Sequence, residues 1–265
     1  MESARRRTAL ITGASAGIGT AFARLLAAEG FDLVLVARRK ERLEALASEL
    51  GDEYGVHCHA LPTDLGDTAA VGQMASQLDA LDVEVDVLIA NAGYAITKGF
   101  TEVPWRTHAD FIQVMATGVA ELCHRFAPGM VERGWGRIVN VSSLTAFTPD
   151  PPGSIYGAVK SFVVSLSEAL ALELAGTGVH VSALCPGFTL TEFHDVMDVR
   201  DQIDKLPGFM MMNAADVVRE GWEAVERGDP ICVSGRVNQA IAGIVKILPR
   251  GMLRALAARR SLRTK

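Results

Sequence analysis

Six short runs rich in β-branched and aliphatic residues recur along this chain, at Thr8–Thr12, Asp32–Ala37, Val56–Leu61, Val85–Ala90, Arg137–Val141 and Val179–Leu184. Segments of helical period lie between them. In Lys40–Leu50, for example, Leu43, Leu46, Ala47 and Leu50 share one stripe with charges opposite. Strand and helix signals alternating in this way imply a parallel sheet covered on both faces by helices. The predicted fold is α/β, a doubly wound parallel sheet. Pro104, Gly134, Gly153 and Gly176–Gly178 punctuate the elements, but no shift of composition marks a boundary. Residues 1–265 are therefore expected to form one domain, ending in a helical extension over about 236–265.

The first strand runs into Gly13-Ala14-Ser15-Ala16-Gly17-Ile18-Gly19 and then an Ala/Leu-rich helix to about Glu29. Glycines at such a turn permit a tight bend, close approach of backbone to a ligand, and close packing of helix on strand. The N-terminus of the following helix offers free N–H groups and the positive end of its dipole, which suits a pyrophosphate. The spacing is G-x3-G-x-G, not the commoner G-x-G-x-x-G. With the second strand following directly, the segment reads as the nucleotide-binding βαβ unit of a Rossmann fold. In such sheets ligands bind beyond the carboxyl ends of the strands.

Tyr156 and Lys160 stand four residues apart in Ser154-Ile155-Tyr156-Gly157-Ala158-Val159-Lys160. On a helix the two side chains share a face, with β-carbons about 5–6 Å apart. A cation beside a phenol favours the phenolate and lowers its pKa from the usual value of about 10, which equips the tyrosine for proton transfer near neutral pH. Thirteen residues upstream of the tyrosine, Ser143 closes the run Val139-Asn140-Val141-Ser142-Ser143.

Taken in order, Thr12-Gly13-x3-Gly17-Ile18-Gly19, Asn91-Ala92-Gly93, Ser143, Tyr156-x3-Lys160 and Pro186-Gly187 resemble the motifs of the short-chain dehydrogenase/reductase (SDR) family, over roughly residues 7 to 235. The resemblance implies an oxidoreductase that moves a hydride between a nicotinamide cofactor and a carbonyl or carbinol carbon. It assigns the proton to Tyr156, orientation of the substrate oxygen to Ser143, and support of the tyrosine and the nicotinamide ribose to Lys160. Ser142 is then a hydrogen-bonded strand residue.

The same resemblance assigns cofactor contacts to Gly13, Ser15, Gly17, Ile18 and Gly19, to Asp64 and Leu65 beyond the third strand, and to Asn91, Ala92 and Gly93. Pro186, Gly187, Thr189 and Thr191 complete the set on the nicotinamide side. Ala90 stands where the family usually begins Asn-Asn-Ala-Gly. The second strand ends Val36-Ala37-Arg38-Arg39-Lys40, with no acid at 37–40 to accept from a ribose 2′-hydroxyl. Arginine at Arg38 or Arg39 pairs instead with a 2′-phosphate, joined by the Ser15 hydroxyl. NADP(H) is expected over NAD(H). Arg39 and Lys40 can also be read as the solvated start of a helix.

One position departs from the family. Aligning Val114-Met115-Ala116-Thr117-Gly118 and Pro128-Gly129-Met130 puts Met115 where the usual catalytic asparagine stands. A thioether cannot hydrogen-bond as an amide does. Three accounts stay open: another polar group does its work, the protein binds nucleotide with weak or lost catalysis, or the alignment shifts toward Gln113.

The segment of about 188–213 corresponds to the family's substrate lid. Its Phe193, Val196, Met197, Leu206, Phe209 and Met210–Met212 either receive an apolar ketone or secondary alcohol or pack the lid onto the body. From Asn238 to Arg260, apolar Ile241, Ile244, Val245, Leu248, Leu253 and Leu256 oppose five basic residues. Such a helix covers the substrate cleft or a partner subunit, or lies peripherally on a membrane. Pro249-Arg250-Gly251 would break or kink it. The family implies a homodimer or homotetramer, with helices near 107–132 and 154–176 at the interface.

Composition sets the remaining bounds. At 49% hydrophobic residues the chain can bury a sizeable core, and a formal charge of −5 with signs interspersed gives no electrostatic case for nucleic acid. Met1-Glu-Ser-Ala-Arg-Arg-Arg lacks an apolar signal region, and no run reaches the roughly 18 uninterrupted apolar residues of a membrane span. Cys58, Cys123, Cys185 and Cys232 are scattered, as in a reducing cytoplasm. His57-Cys58-His59 projects two imidazoles to one strand face but finds no third ligand nearby, so no metal is expected. His108, His124, His180 and His194 lie in no motif, although His194 falls in the lid.

Overall fold

The computed structural model describes residues 5–148, 154–190, 211–249 and 251–253. Thr191, His194 and most of the lid, together with Arg250 and the end of the C-terminal extension, lie outside the described residues.

Strands β1 (Thr8–Thr12), β2 (Asp32–Ala37), β3 (Cys58–Pro62), β4 (Val85–Ala90), β5 (Gly136–Val141), β6 (Val179–Cys185) and β9 (Ile231–Val233) form one sheet. Their order is β3-β2-β1-β4-β5-β6-β9, and every pairing is parallel. This is the predicted doubly wound Rossmann sheet. The order reverses at β1, which lies between β2 and β4, so the carboxyl ends of β1 and β4 open a crevice there.

Helices α1 (Gly17–Ala28), α2 (Lys40–Tyr54) and α7 (Ala214–Arg227) cover one face, and α3 (Ala70–Ala80), α5 (Gly118–Glu132) and α6 (Ser154–Glu173) the other. The two-residue period of a strand divides the core between them. Ala9, Ile11, Leu33 and Leu35 pack with Phe22, Leu26 and Val217. Leu10, Val34 and Val36 pack with Met74, Leu122 and Val163 on the opposite face. Burying each of the larger side chains contributes about 1.5–3 kcal/mol.

At the amino ends of the strands, the buried Asp86 carboxylate accepts from the Thr8 amide at 2.9 Å, Arg5 at 2.9 Å and Arg133 at 3.1 Å. Trp135 lies between two guanidinium groups, Arg7 at 3.6 Å and Arg137 at 4.5 Å from its ring.

The structure departs from the sequence reading in three places. The helix expected near 107–132 is two helices, α4 (Trp105–Ile112) and α5, joined by a wide π-helical turn at Gln113–Thr117 that carries Met115. The third strand begins at Cys58, not Val56. The edge strand β9, three residues long, is too short to stand out as a pattern. As expected from Pro249, whose ring cannot continue a helix, the C-terminal helix α8 spans Arg236–Ile247 and stops before it.

Two short strands, β7 (Thr189–Leu190) and β8 (Met212–Asn213), pair in parallel. They hold together the two ends of the segment read as a lid.

Candidate active site

The glycine loop is locked by contacts that admit no side chain. Gly13 has φ +69°, and a β-carbon there would lie 2.7 Å from Asn91 Nδ2. A β-carbon on Gly19 would lie 2.2 Å from the Gly13 carbonyl oxygen, far inside contact distance, so helix α1 approaches the loop as only glycine allows. Asn91 secures the loop from the neighbouring strand, its Nδ2 donating to the Thr12 carbonyl at 2.9 Å. The Thr12 hydroxyl accepts from the Asn91 and Ala92 amides at 2.9 and 3.0 Å. Thr12, which opens the glycine motif in sequence, thus joins the two strand ends across the crevice.

Arg39 reaches over this loop. Its guanidinium donates to Ser15 Oγ at 3.1 and 3.2 Å and to the Ser15 carbonyl at 3.2 Å. Lys40, exposed like Arg39, instead pairs with Glu44 at 3.6 Å one turn along α2 and does not reach the loop. Arg38 is exposed at the same strand end. Asp64 follows β3 and accepts from the Gly66 amide at 3.0 Å, while Leu65 is buried in the core. A narrow loop walled by backbone and open N–H groups at the start of α1 together fit the pyrophosphate of a dinucleotide, and Arg39 and the Ser15 hydroxyl stand at the adjoining strand end.

Ser142 and Ser143 follow β5 and diverge in role. Ser142 Oγ donates to the Lys160 carbonyl at 2.8 Å, as expected of a strand residue. Ser143 caps the 3₁₀ turn Leu144–Phe147, its Oγ accepting from the Thr145 amide at 3.2 Å and meeting Thr145 Oγ1 at 3.0 Å. That turn is tied to β6 by Leu144 N donating to the Pro186 carbonyl at 2.8 Å, and to α6 by Ser161 Oγ donating to the Ala146 carbonyl at 2.7 Å.

Helix α6 carries Tyr156 and Lys160 on one face, with Lys160 Nζ 5.7 Å from the tyrosine ring centroid. Nζ donates to the Val141 carbonyl at 2.7 Å, and Lys160 is 5% exposed. Burial pushes its pKa down from 10.5 to about 8, because desolvation disfavours the charged form. It remains a cation at neutral pH. Behind Tyr156 stands an apolar cluster of Phe111, Met115 and Val159, with Tyr94 and Ile96 against it. Met115 is 1% exposed, and a β-carbon on Gly93 would lie 3.0 Å from its Cε. The position aligned with the family's asparagine therefore faces the Asn91–Gly93 segment as a packed thioether, and Gln113 is half-exposed in the same turn.

On the far side, Thr189 is buried and its hydroxyl donates to the Gly187 carbonyl at 3.2 Å. Gly187 abuts Asn238 of α8, where a β-carbon would lie 2.5 Å from the amide. Asn238 carried no motif signal, because its contact with Gly187 spans fifty-one residues of sequence. Lys246 of α8 lies 5.5 Å over the Phe147 ring, next to the serine turn. Among the described residues no cluster of three or more metal-ligating side chains occurs. Burial raises the Cys58, Cys123 and Cys232 thiols to about 11 and Cys185 to about 12, so all four stay protonated at neutral pH.

This fold and this gathering of residues define a Rossmann-type α/β protein with its site at the sheet's switch point. Residues 7–201 match the short chain dehydrogenase family model. A sulfoacetaldehyde reductase of Chromohalobacter salexigens is 39% identical over 72% of this chain and 76% of its own. A short-chain dehydrogenase from Sphingobium yanoikuyae, solved in complex with NADPH, is 35% identical, covers 92% of this chain and 96% of its own, and superimposes with a TM-score of 0.80. A bulky-bulky ketone specific alcohol dehydrogenase from Comamonas testosteroni is 30% identical over 92% of this chain and 95% of its own, with a TM-score of 0.76. The chain belongs to the short-chain dehydrogenase family of oxidoreductases.

Proposed function

We propose that this protein reduces hydrophobic ketones, or oxidises the matching secondary alcohols, with NADP(H), and that Tyr156 is its general acid and base. The observation that carries the reading is the buried Lys160 ammonium, fixed on the Val141 carbonyl at the end of β5, two residues before Ser143 in sequence, and one helical turn from Tyr156. A dinucleotide held by its pyrophosphate along the Gly13–Gly19 loop would supply, from its nicotinamide, the hydride for the carbonyl carbon. Tyr156 gives its hydroxyl proton to the carbonyl oxygen, and the Lys160 charge stabilises the phenolate left behind. Ser143 donates a hydrogen bond to that same oxygen, where negative charge develops. Phe111, Met115 and Tyr94 exclude water behind the tyrosine. In the oxidative direction each proton step reverses.

Arg39 on Ser15 supports NADP(H) over NAD(H), because a guanidinium and a hydroxyl both suit a 2′-phosphate. The Sphingobium neighbour holds NADPH, and the Comamonas neighbour acts on bulky ketones. An apolar substrate also suits a site bordered by Tyr94, Ile96 and Phe147. Helix α8 beside Phe147 supports its role as a cover of the cleft.

By length and composition, Ile155–Glu173 is apolar enough to cross a membrane, but Val159, Val163 and Val164 of this helix are buried against the sheet. Phe162 and Leu172 stay exposed on its outer side. We read that stripe as the seat of a second copy of this chain in a homo-oligomer. Phe162→Glu should then lower the mass seen by light scattering.

The test of function is NADPH and NADH consumption against a panel of apolar aryl and alkyl ketones, with Tyr156→Phe as the blank. Turnover favouring NADPH and absent from the blank is expected. The burial of Met115 favours one second reading, a nucleotide-binding protein of weak or lost catalysis. Met115→Asn separates the two: a large gain in turnover marks a slowed enzyme, and NADPH binding without turnover in either form marks the binding role.

A further inference from the structure

Ser143 is held from two directions by a single residue. Its Oγ accepts from the Thr145 amide at 3.2 Å and lies 3.0 Å from the Thr145 hydroxyl. A serine hydroxyl has one hydrogen to give and two lone pairs to offer. When Thr145 supplies both its amide and its hydroxyl hydrogens, those lone pairs are occupied. The Ser143 hydrogen is then left to point outward. The opposite polarity, with Ser143 donating to Thr145, would turn that hydrogen away from the crevice.

Thr145 is itself fixed. Its carbonyl accepts from the Thr148 amide at 3.3 Å. A β-carbon on Gly157, the residue after Tyr156, would lie 3.4 Å from that carbonyl oxygen. The turn holding Thr145 is anchored to Pro186 on one side and Ser161 on the other. The backbone that carries the threonine hydroxyl is thus held between helix α6 and the segment that follows β6.

We propose that Thr145 is a positioning residue for the reaction, one that donates its hydroxyl hydrogen to Ser143 and so makes Ser143 an obligate donor to the substrate oxygen. The inference rests on the reading of this site as a ketone reductase. A donor already oriented strengthens its bond as the oxygen gains negative charge, so its effect falls on kcat more than on KM.

The experiment compares Thr145→Val, Thr145→Ser, Ser143→Ala and the double variant Ser143→Ala/Thr145→Val. Each is assayed with NADPH and the panel of apolar aryl and alkyl ketones, alongside thermal melting and the NADPH Kd. Thr145→Val keeps the shape and removes the hydroxyl, and it should lower kcat about tenfold, the scale of one oriented hydrogen bond. KM and the NADPH Kd should stay within about twofold, Thr145→Ser should restore kcat, and Thr145→Val should cost nothing further once Ser143 is alanine. Thr145→Ala serves in place of valine if the valine variant does not fold. A wild-type level of kcat in Thr145→Val, a serine variant as slow as the valine, or a loss that adds to that of Ser143→Ala overturns the positioning role alone. Wild-type protein that turns over no ketone in the panel overturns the functional reading, and the positioning role with it.

Discussion

The Lys160 ammonium donates to the Val141 carbonyl oxygen at 2.7 Å, and this bond holds a cation inside the fold with no carboxylate paired to it among the described residues. Burial pushes the lysine pKa from 10.5 to about 8, a change worth about 3 kcal/mol. Below pH 8 both folded and unfolded chains carry the proton, and the folded one bears the full cost of burying charge. Between about pH 8 and 10.5 the folded lysine is neutral while the unfolded one is still protonated, so stability rises with pH across that window. Urea unfolding of wild type and Lys160→Met from pH 7 to 10.5 should show the wild type gaining on the variant. A difference independent of pH would contradict the assignment.

Removing the Arg39 guanidinium should separate the two nicotinamide cofactors. A charge-assisted bond to phosphate contributes about 1.5–3 kcal/mol, so Arg39→Ala should weaken NADPH about 10- to 100-fold. NADH, which has no 2′-phosphate, should change less than about threefold. Fluorescence titration of both cofactors reads the ratio directly, and equal losses would remove Arg39 from the 2′-phosphate.

Gly19→Ala should act differently, on the loop shared by both cofactors. Its new β-carbon would meet the Gly13 carbonyl at 2.2 Å and Asn91 Nδ2 at 2.7 Å. Relieving that clash costs about 1–3 kcal/mol and displaces the loop. NADPH and NADH should therefore weaken together, by about tenfold or more, with a lower Tm. Unaltered binding would mean the loop does not carry the dinucleotide.

Trp135 gives the contrasting case, distant from the cofactor crevice. Arg7 and Arg137 flank its ring, each contributing about 0.5–1 kcal/mol. Trp135→Leu should lower stability by about 1–3 kcal/mol while leaving the NADPH Kd unchanged. Chemical denaturation and cofactor titration of the same sample test both halves.

The architecture was legible because its signals are local. An apolar run, a helical stripe and a glycine spacing each occupy a dozen residues or fewer, and backbone geometry turns each into a strand, a helix or a turn with little outside help. Tyr156 and Lys160 were readable for the same reason, since one helical turn joins them. The family resemblance added Ser143 and the meaning of the Met115 position, which spacing alone does not supply.

The tertiary structure decided what depends on residues far apart in sequence. Lys160 became a desolvated cation only because β5 brought the Val141 carbonyl to it. Arg39 and Lys40, adjacent and chemically alike, were parted because one reaches Ser15 across the loop and the other reaches Glu44 along its own helix. Met115 became a buried wall behind Tyr156 through the wide turn between α4 and α5, a backbone feature with no sequence signature. Chain order thus determined which elements form and which groups they carry. Packing determined which of those groups lose water and which partner each one finds, because desolvation and hydrogen bonding belong to the assembled site and not to any one segment.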